Sequence, residues 1–293
     1  MVAGIARSGQ NSEVKWTVEA MDIAVRRPAA SLSEDLPLSP AGEVLRDIAR
    51  GGIAGAIVGL TVGGLGGRAV MRIAAILHPD AVGALTENGN RIGDITAGGT
   101  LFLVISGLIA CALAGVLWVI VSPWIPGHTA LRALLTAGIA IAIGTPVLII
   151  GGNPDFVILE HDPRVAALLV ALVGLIGLSI ALVDSWLDRR LPHDVPGRKG
   201  PVALYATVTL MGAVLVLPFV LLVFLASDEY RLPLRAGYAL LVVGLSTATW
   251  WGLRVRGRVS TPRGLVIAAR AALLVAIILG VLTTAPHLSR ALG

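Results

Sequence analysis

Between Asp94 and Arg132 the chain carries no Asp, Glu, Lys or Arg. The same is true between Arg132 and Asp155, and over 165–183, 200–227, 236–253 and 271–289. Runs near or above about 18 apolar residues have the length an α-helix needs to cross a bilayer. A soluble fold of 293 residues would carry more surface charge than this one, in which 14% of residues are charged and 56% hydrophobic. Soluble domains run at about 25% charged. A mean hydropathy of +0.85 agrees. With the apolar stretch after Arg50 added, the expectation is all-α: a bundle of seven transmembrane helices. The spans are read at about 45–67, 98–122, 130–151, 164–187, 202–226, 233–253 and 262–284. Pro146 and Pro218 fall inside two of them and predict kinks.

Positive charge sets the orientation. With the N-terminus inside, the tail, the loop around Arg132, the loop DRRLPHDVPGRKGP and the loop RVRGRVSTPR hold fifteen of the 23 Lys and Arg. The opposite side holds seven, and Trp124, Trp186, Trp250 and Trp251 fall at cytoplasmic span ends, as an interfacial aromatic belt does. The expected arrangement is N-in, C-out in the cytoplasmic (inner) membrane. Residues 1–38 mix charge, Ser and Pro and read as a mobile cytoplasmic tail. A stripe of Val14, Val18, Met21 and Val25 leaves a short surface helix as the alternative. Ser39-Pro40 is a helix start. No signal peptide is expected, because the first long apolar stretch begins only near Gly51. A net charge of +5 would suggest nucleic acid as the partner of a soluble chain. Here the arginines sit in short loops, so the expected partner is the lipid bilayer and not nucleic acid.

Gly51, Gly55, Gly59, Gly63 and Gly67 recur at four-residue spacing, a glycine zipper that lies along one slowly rotating strip of a helix. Such a strip admits a second helix backbone to backbone. It serves packing within the chain, or self-association or a membrane-protein partner through the first helix. Whether that helix ends near Gly67 or continues to Leu77 stays open. Arg50 and Arg68 flank the uncharged core of this helix and can each snorkel to a headgroup layer.

Arg68 and Arg72 leave the membrane one turn apart on the side that positive charge usually avoids. The short segment HPDAVGALTENGNRIGDITAGGT must fold back over them. Arg68, Arg72, Glu87, Arg91 and Asp94 therefore form a candidate outer polar cluster, in which Asp94 is expected to pair with one of the two helical arginines. Asn88-Gly89 is a hairpin signal, and ALTE and NRIG are its candidate arms in a small outer loop or β-hairpin cap. A second outer loop gathers Asp155, Glu160, His161 and Asp162, in a spacing that matches no metal motif. No HExxH, GxSxG, P-loop or strand-anchored GxGxxG context occurs. No span contains a lysine, so seven helices do not imply a retinal protein. Lone Cys111 allows no disulfide. The expectation is a non-enzymatic protein without catalytic residues, cofactor or metal.

The blocks GGLGGRAVMR, LTENGNRIGDITAGGTLF and DFVILEHDPRVAALLVALVGL resemble an uncharacterised family of bacterial multi-pass membrane proteins, over roughly residues 45–185. The resemblance implies a membrane location and carries no activity. The function expected is a structural or partner-binding membrane component; the alternative is a small-solute transporter or channel.

Overall fold

Pro40 opens the first helix, where its fixed φ and missing N–H cost nothing. The computed structural model describes residues 40–86, 89, 91–148, 157–159, 162–192, 199–226, 234–257 and 260–291; the expected tail at 1–38 lies outside them. Helix α1 runs unbroken over Pro40–Leu77, so it continues past Gly67. It is followed by α2 (Ala97–Val121), α3 (Thr129–Leu148), α4 (Pro163–Asp188), α5 (Lys199–Ala226), α6 (Leu234–Val255) and α7 (Arg263–Ala291). Among the described residues the fold is all-helical with seven helices and no strand. Among the described residues four stretches are long and apolar enough to cross a membrane: Pro40–Leu77, Ala97–Trp124, Pro163–Asp188 and Arg263–Pro286.

Helix α1 is the hub of the bundle and packs on α2, α4 and α5, while α3 pairs with α4 and α6 with α7. Its core neighbours are apolar: Val58 belongs to one buried cluster with Trp118, Val119, Ile180, Ala181, Val243 and Leu273. The α1–α2 seam is tighter than side-chain packing allows. A Cβ on Gly51 would lie 2.6 Å from the carbonyl oxygen of Gly115, and one on Gly55 would overlap that of Cys111. On Gly59 it would overlap the Gly107 carbonyl and come within 2.8 Å of the Leu108 Cα. Gly107, Cys111 and Gly115 thus form a second small-residue row at the same spacing.

The expected row fails beyond Gly59, and the cause is local. Gly59–Leu65 is a π-helix, whose hydrogen bonds run i to i+5 and not i to i+4. One added residue turns the strip, so Gly64 continues the seam: a Cβ there would sit 2.9 Å from the Cα of Val104. Gly63 moves to the edge of the contact, 3.2 Å from the Cys111 sulfur by the same construction. A Cβ on Gly67 would meet nothing within 4 Å, so Gly67 makes no close helix contact within the chain.

Elsewhere the chain follows its punctuation. Thr96 caps α2 by accepting from the N–H of Gly99 at 3.1 Å. Asp162 caps α4, with Pro163 at its first position. The expected β-hairpin is reduced to one antiparallel bridge, Leu85 to Arg91, with Gly89 turning at φ 71°. Its arms lack the alternation that would bury one face, and Asn88 lies outside the described residues. Under this cap Ala74, Ala75, Ala81, Ile92, Leu159 and Val165 form a small satellite core.

The seam generates a prediction about single glycines. Gly55→Leu should lower the unfolding free energy by about 1–3 kcal/mol or more, because the main chains must separate. Gly67→Ala should be neutral or raise it by up to about 1 kcal/mol through helix propensity. Thermal unfolding of the detergent-solubilised protein measures both, and equal losses would mean the seam is not closed as described.

Candidate functional site

Arg46 and Arg50 stand one turn apart at the N-terminal end of α1, so they share a face. Asp184 and Asp188 stand one turn apart at the C-terminal end of α4. The two pairs meet. Arg50 Nε donates to Asp184 Oδ1 at 2.6 Å, and its Nη1 reaches Asp188 Oδ1. Arg46 Nη1 donates to the same Asp188 oxygen at 2.9 Å. Its Nη2 donates to the main-chain carbonyls of Asp188 and Leu191, at 2.7 and 3.1 Å. Those carbonyls belong to the last turn of α4 and its exit, where helical acceptors have no intrahelical donor and a cation is favoured. Asp47 extends the network, 3.3 Å from Arg50 and 3.9 Å from Arg254 of α6, while Glu43 lies 3.9 Å from Arg46. Arg46 is only 1% exposed. Arg50 therefore does not snorkel to a headgroup: it belongs to a partly buried ionic cluster that joins α1 to α4 and reaches Arg254 of α6.

The sequence held the signal for this cluster. Two arginines at i, i+4 and two aspartates at i, i+4 lie at the same end of spans that run in opposite directions. Reading Asp184 alone, as an isolated ionisable residue near a span end, hides the match.

At the other end of the same two helices stands a second polar contact. His78 closes α1, and its Nε2 is 2.9 Å from Oδ2 of Asp162. Asp162 also takes the Arg164 guanidinium, with Nε at 2.9 and 3.1 Å, and the Arg164 main-chain N–H at 2.7 Å. Arg164, through its side chain and its backbone N–H, holds the Asp162 carboxyl well below the usual carboxylate range; burial opposes this and the His78 contact adds to it. Of the expected acidic loop, Asp155, Glu160 and His161 lie outside the described residues. Asp162 is a helix cap engaged by three groups. Among the described residues no three His, Cys, Asp or Glu side chains cluster as metal ligands.

The candidate outer cluster assembles in part. Arg68 Nη2 donates to the main-chain carbonyl of Asp94 at 2.5 Å, and Arg72 Nη1 to that of Gly93 at 3.1 Å. The expected clamp thus exists, but it grips the backbone of the loop. The Asp94 carboxylate is in ion-pair range of neither arginine. Arg91 is exposed and forms the bridge with Leu85, while Glu87 lies outside the described residues.

Hydroxyls within the spans mostly bond back to helix carbonyls, as Ser246 does to Val242 and Thr249 to Leu245. Thr247 does more. It accepts from Trp124 Nε1 at 2.8 Å and donates to the Ile120 carbonyl at 2.6 Å, tying α6 to the end of α2. Thr145 is fully buried and its hydroxyl has no hydrogen-bond partner.

Comparison with protein-family profiles, with curated proteins and with solved structures finds no match for this chain.

The ionic cluster predicts strong coupling. Arg50→Gln or Asp184→Asn alone should destabilise the protein by about 3–5 kcal/mol, since each leaves a buried charge without its partner. The double variant should lose much less than the sum. Additive losses in a double-mutant cycle on the purified protein would show that the pair is not coupled.

Proposed function

We propose that this chain is a seven-span protein of the cytoplasmic membrane, N-terminus inside and C-terminus outside, serving as a non-enzymatic structural or partner-binding component. The observation that carries this reading is the α1–α2 seam, where main chains touch at Gly51, Gly55, Gly59 and Gly64. Alternating access moves one part of a bundle against another around a polar site near mid-depth. Close main-chain contact along this seam opposes such sliding, and the charged clusters stand at helix ends. Large aliphatic side chains face outward on α5, α6 and α7, among them Leu210, Met211, Leu241, Leu245, Ile267 and Leu282. Lipid is the environment that accepts such faces.

A transporter or channel is the second reading, favoured by the buried, unpartnered hydroxyl of Thr145 beside helix-breaking Pro146. Amide hydrogen exchange separates the two. A scaffold should keep the amides of 51–63 and 107–119 protected for hours, whereas alternating access would expose them within minutes. The orientation has its own test in a Cys111→Ala background. Arg256→Cys should be shielded from impermeant thiol reagents in intact cells, and Val82→Cys should be labelled. The reverse pattern would overturn N-in.

A further inference from the structure

We propose that the end of the α1–α2 seam beside Arg68 and Arg72 binds an anionic phospholipid, its phosphate on the two arginines and an acyl chain in the adjoining groove. The inference rests on the membrane reading above. Both arginines are positioned by carbonyls of Asp94 and Gly93, which orient a guanidinium without cancelling its charge. Each guanidinium carries five N–H donors, so most remain available, and its planar fork matches phosphate oxygens. Neither arginine has an ion-pair partner among the described residues. The nearest described carboxylates, Asp94 and Asp80, are exposed and pair with neither; Glu87 lies outside the described residues.

One residue past the carbonyl that Arg68 holds, an open groove begins, lined by Ile95, Thr96, Ala97, Thr100, Leu101 and Val104. It follows the first two turns of α2, roughly 12 Å at 1.5 Å per residue, from the arginines into the apolar run. Ile95 is 71% and Leu101 57% exposed, so the groove is open to an occupant. An inorganic phosphate would engage the arginines and leave the groove empty. A phospholipid fills both parts, and its negative headgroup complements the two uncancelled charges.

The test titrates the delipidated full chain in micelles with phosphatidylglycerol or phosphatidylcholine of equal chain length, read by native mass spectrometry. Phosphatidylglycerol should bind at least about tenfold more tightly, from two arginines near the headgroup. R68Q/R72Q should remove that preference, and Leu101→Ser should weaken both lipids. Arg190→Gln, at the far end of α4, should change neither. Arg72→Gln alone, which alters an exposed side chain, should reduce the preference and keeps the test available if the double variant misfolds. No preference in the native chain, an undiminished preference in R72Q, or displacement by excess soluble glycerol phosphate would overturn the proposal. Release of the chain from membranes by alkaline carbonate would instead overturn the membrane reading, whatever lipid selectivity is found.

Discussion

Main-chain contact between two helices is possible only where neither presents a side chain, and this condition shapes α1 and α2 together. On α1 it is met by Gly51, Gly55 and Gly59, and on α2 by Gly107 and Gly115, with the main chain of Cys111 between them against Gly55. A strip at spacing four drifts around an α-helix, because 3.6 residues make a turn. The π segment at Gly59–Leu65 adds one residue and shifts the phase by about 100°. Everything after it inherits that shift. Gly64, Arg68 and Arg72 then lie on the continuing strip at spacing four, which carries both arginines to the loop that enters α2. Without the π segment, a strict row would have put Gly63 and Gly67 there and turned the arginines away.

A second strip of α1 is organised by α4. Arg46 and Arg50 meet Asp188 and Asp184 at one end. Val58 shares a buried cluster with Ile180 and Ala181 in the middle, and a Cβ on Gly66 would come within 2.9 Å of Leu172. His78 meets Asp162 at the other end. The two helices are thus antiparallel and joined by polar contacts at both termini. Desolvating charged groups offsets much of their attraction, so such contacts add little net stability. They do penalise slippage: moving α1 by one turn along α4 would part His78 from Asp162, and in one direction would set Arg50 opposite the buried Ile180. The polar contacts set register while apolar packing supplies cohesion.

Local composition made the helices readable from sequence, because uncharged runs bounded by arginines and aspartates have one economical fold in lipid. The glycine row was readable as a packing strip for its first three members. The π segment was not. The Asp94 clamp was legible as a place and misread in chemistry: charge sign suggested a carboxylate, whereas the loop offers its carbonyls. The ionic cluster was missed because each half reads as an ordinary span boundary. Only the antiparallel pairing of α1 with α4 brings residues 46 and 188 together, and that is a long-range fact.

The same rule of satisfied backbone governs the last helix. Pro146 has no N–H, so the carbonyl of Ala142, four residues earlier in α3, loses its intrahelical donor. In a lipid environment that acceptor must be met by protein. Gly280 brings the α7 backbone against it, where a Cβ would lie 2.5 Å from the Ala142 oxygen. The hydroxyl of Thr284, one turn on, approaches the same oxygen at 3.3 Å while also bonding to the carbonyl of Gly280 at 2.9 Å. A proline in one helix thereby selects a glycine and a threonine in another. Two of the closest helix contacts, α1 with α2 and α3 with α7, are backbone contacts of this kind, which cannot part slightly without exposing polar main chain to an apolar interior. Such contacts resist small shifts between the helices they join, while exposed aliphatic side chains stand on all seven helices, among them Leu65, Leu101, Leu134, Leu175, Leu210, Leu241 and Ile267.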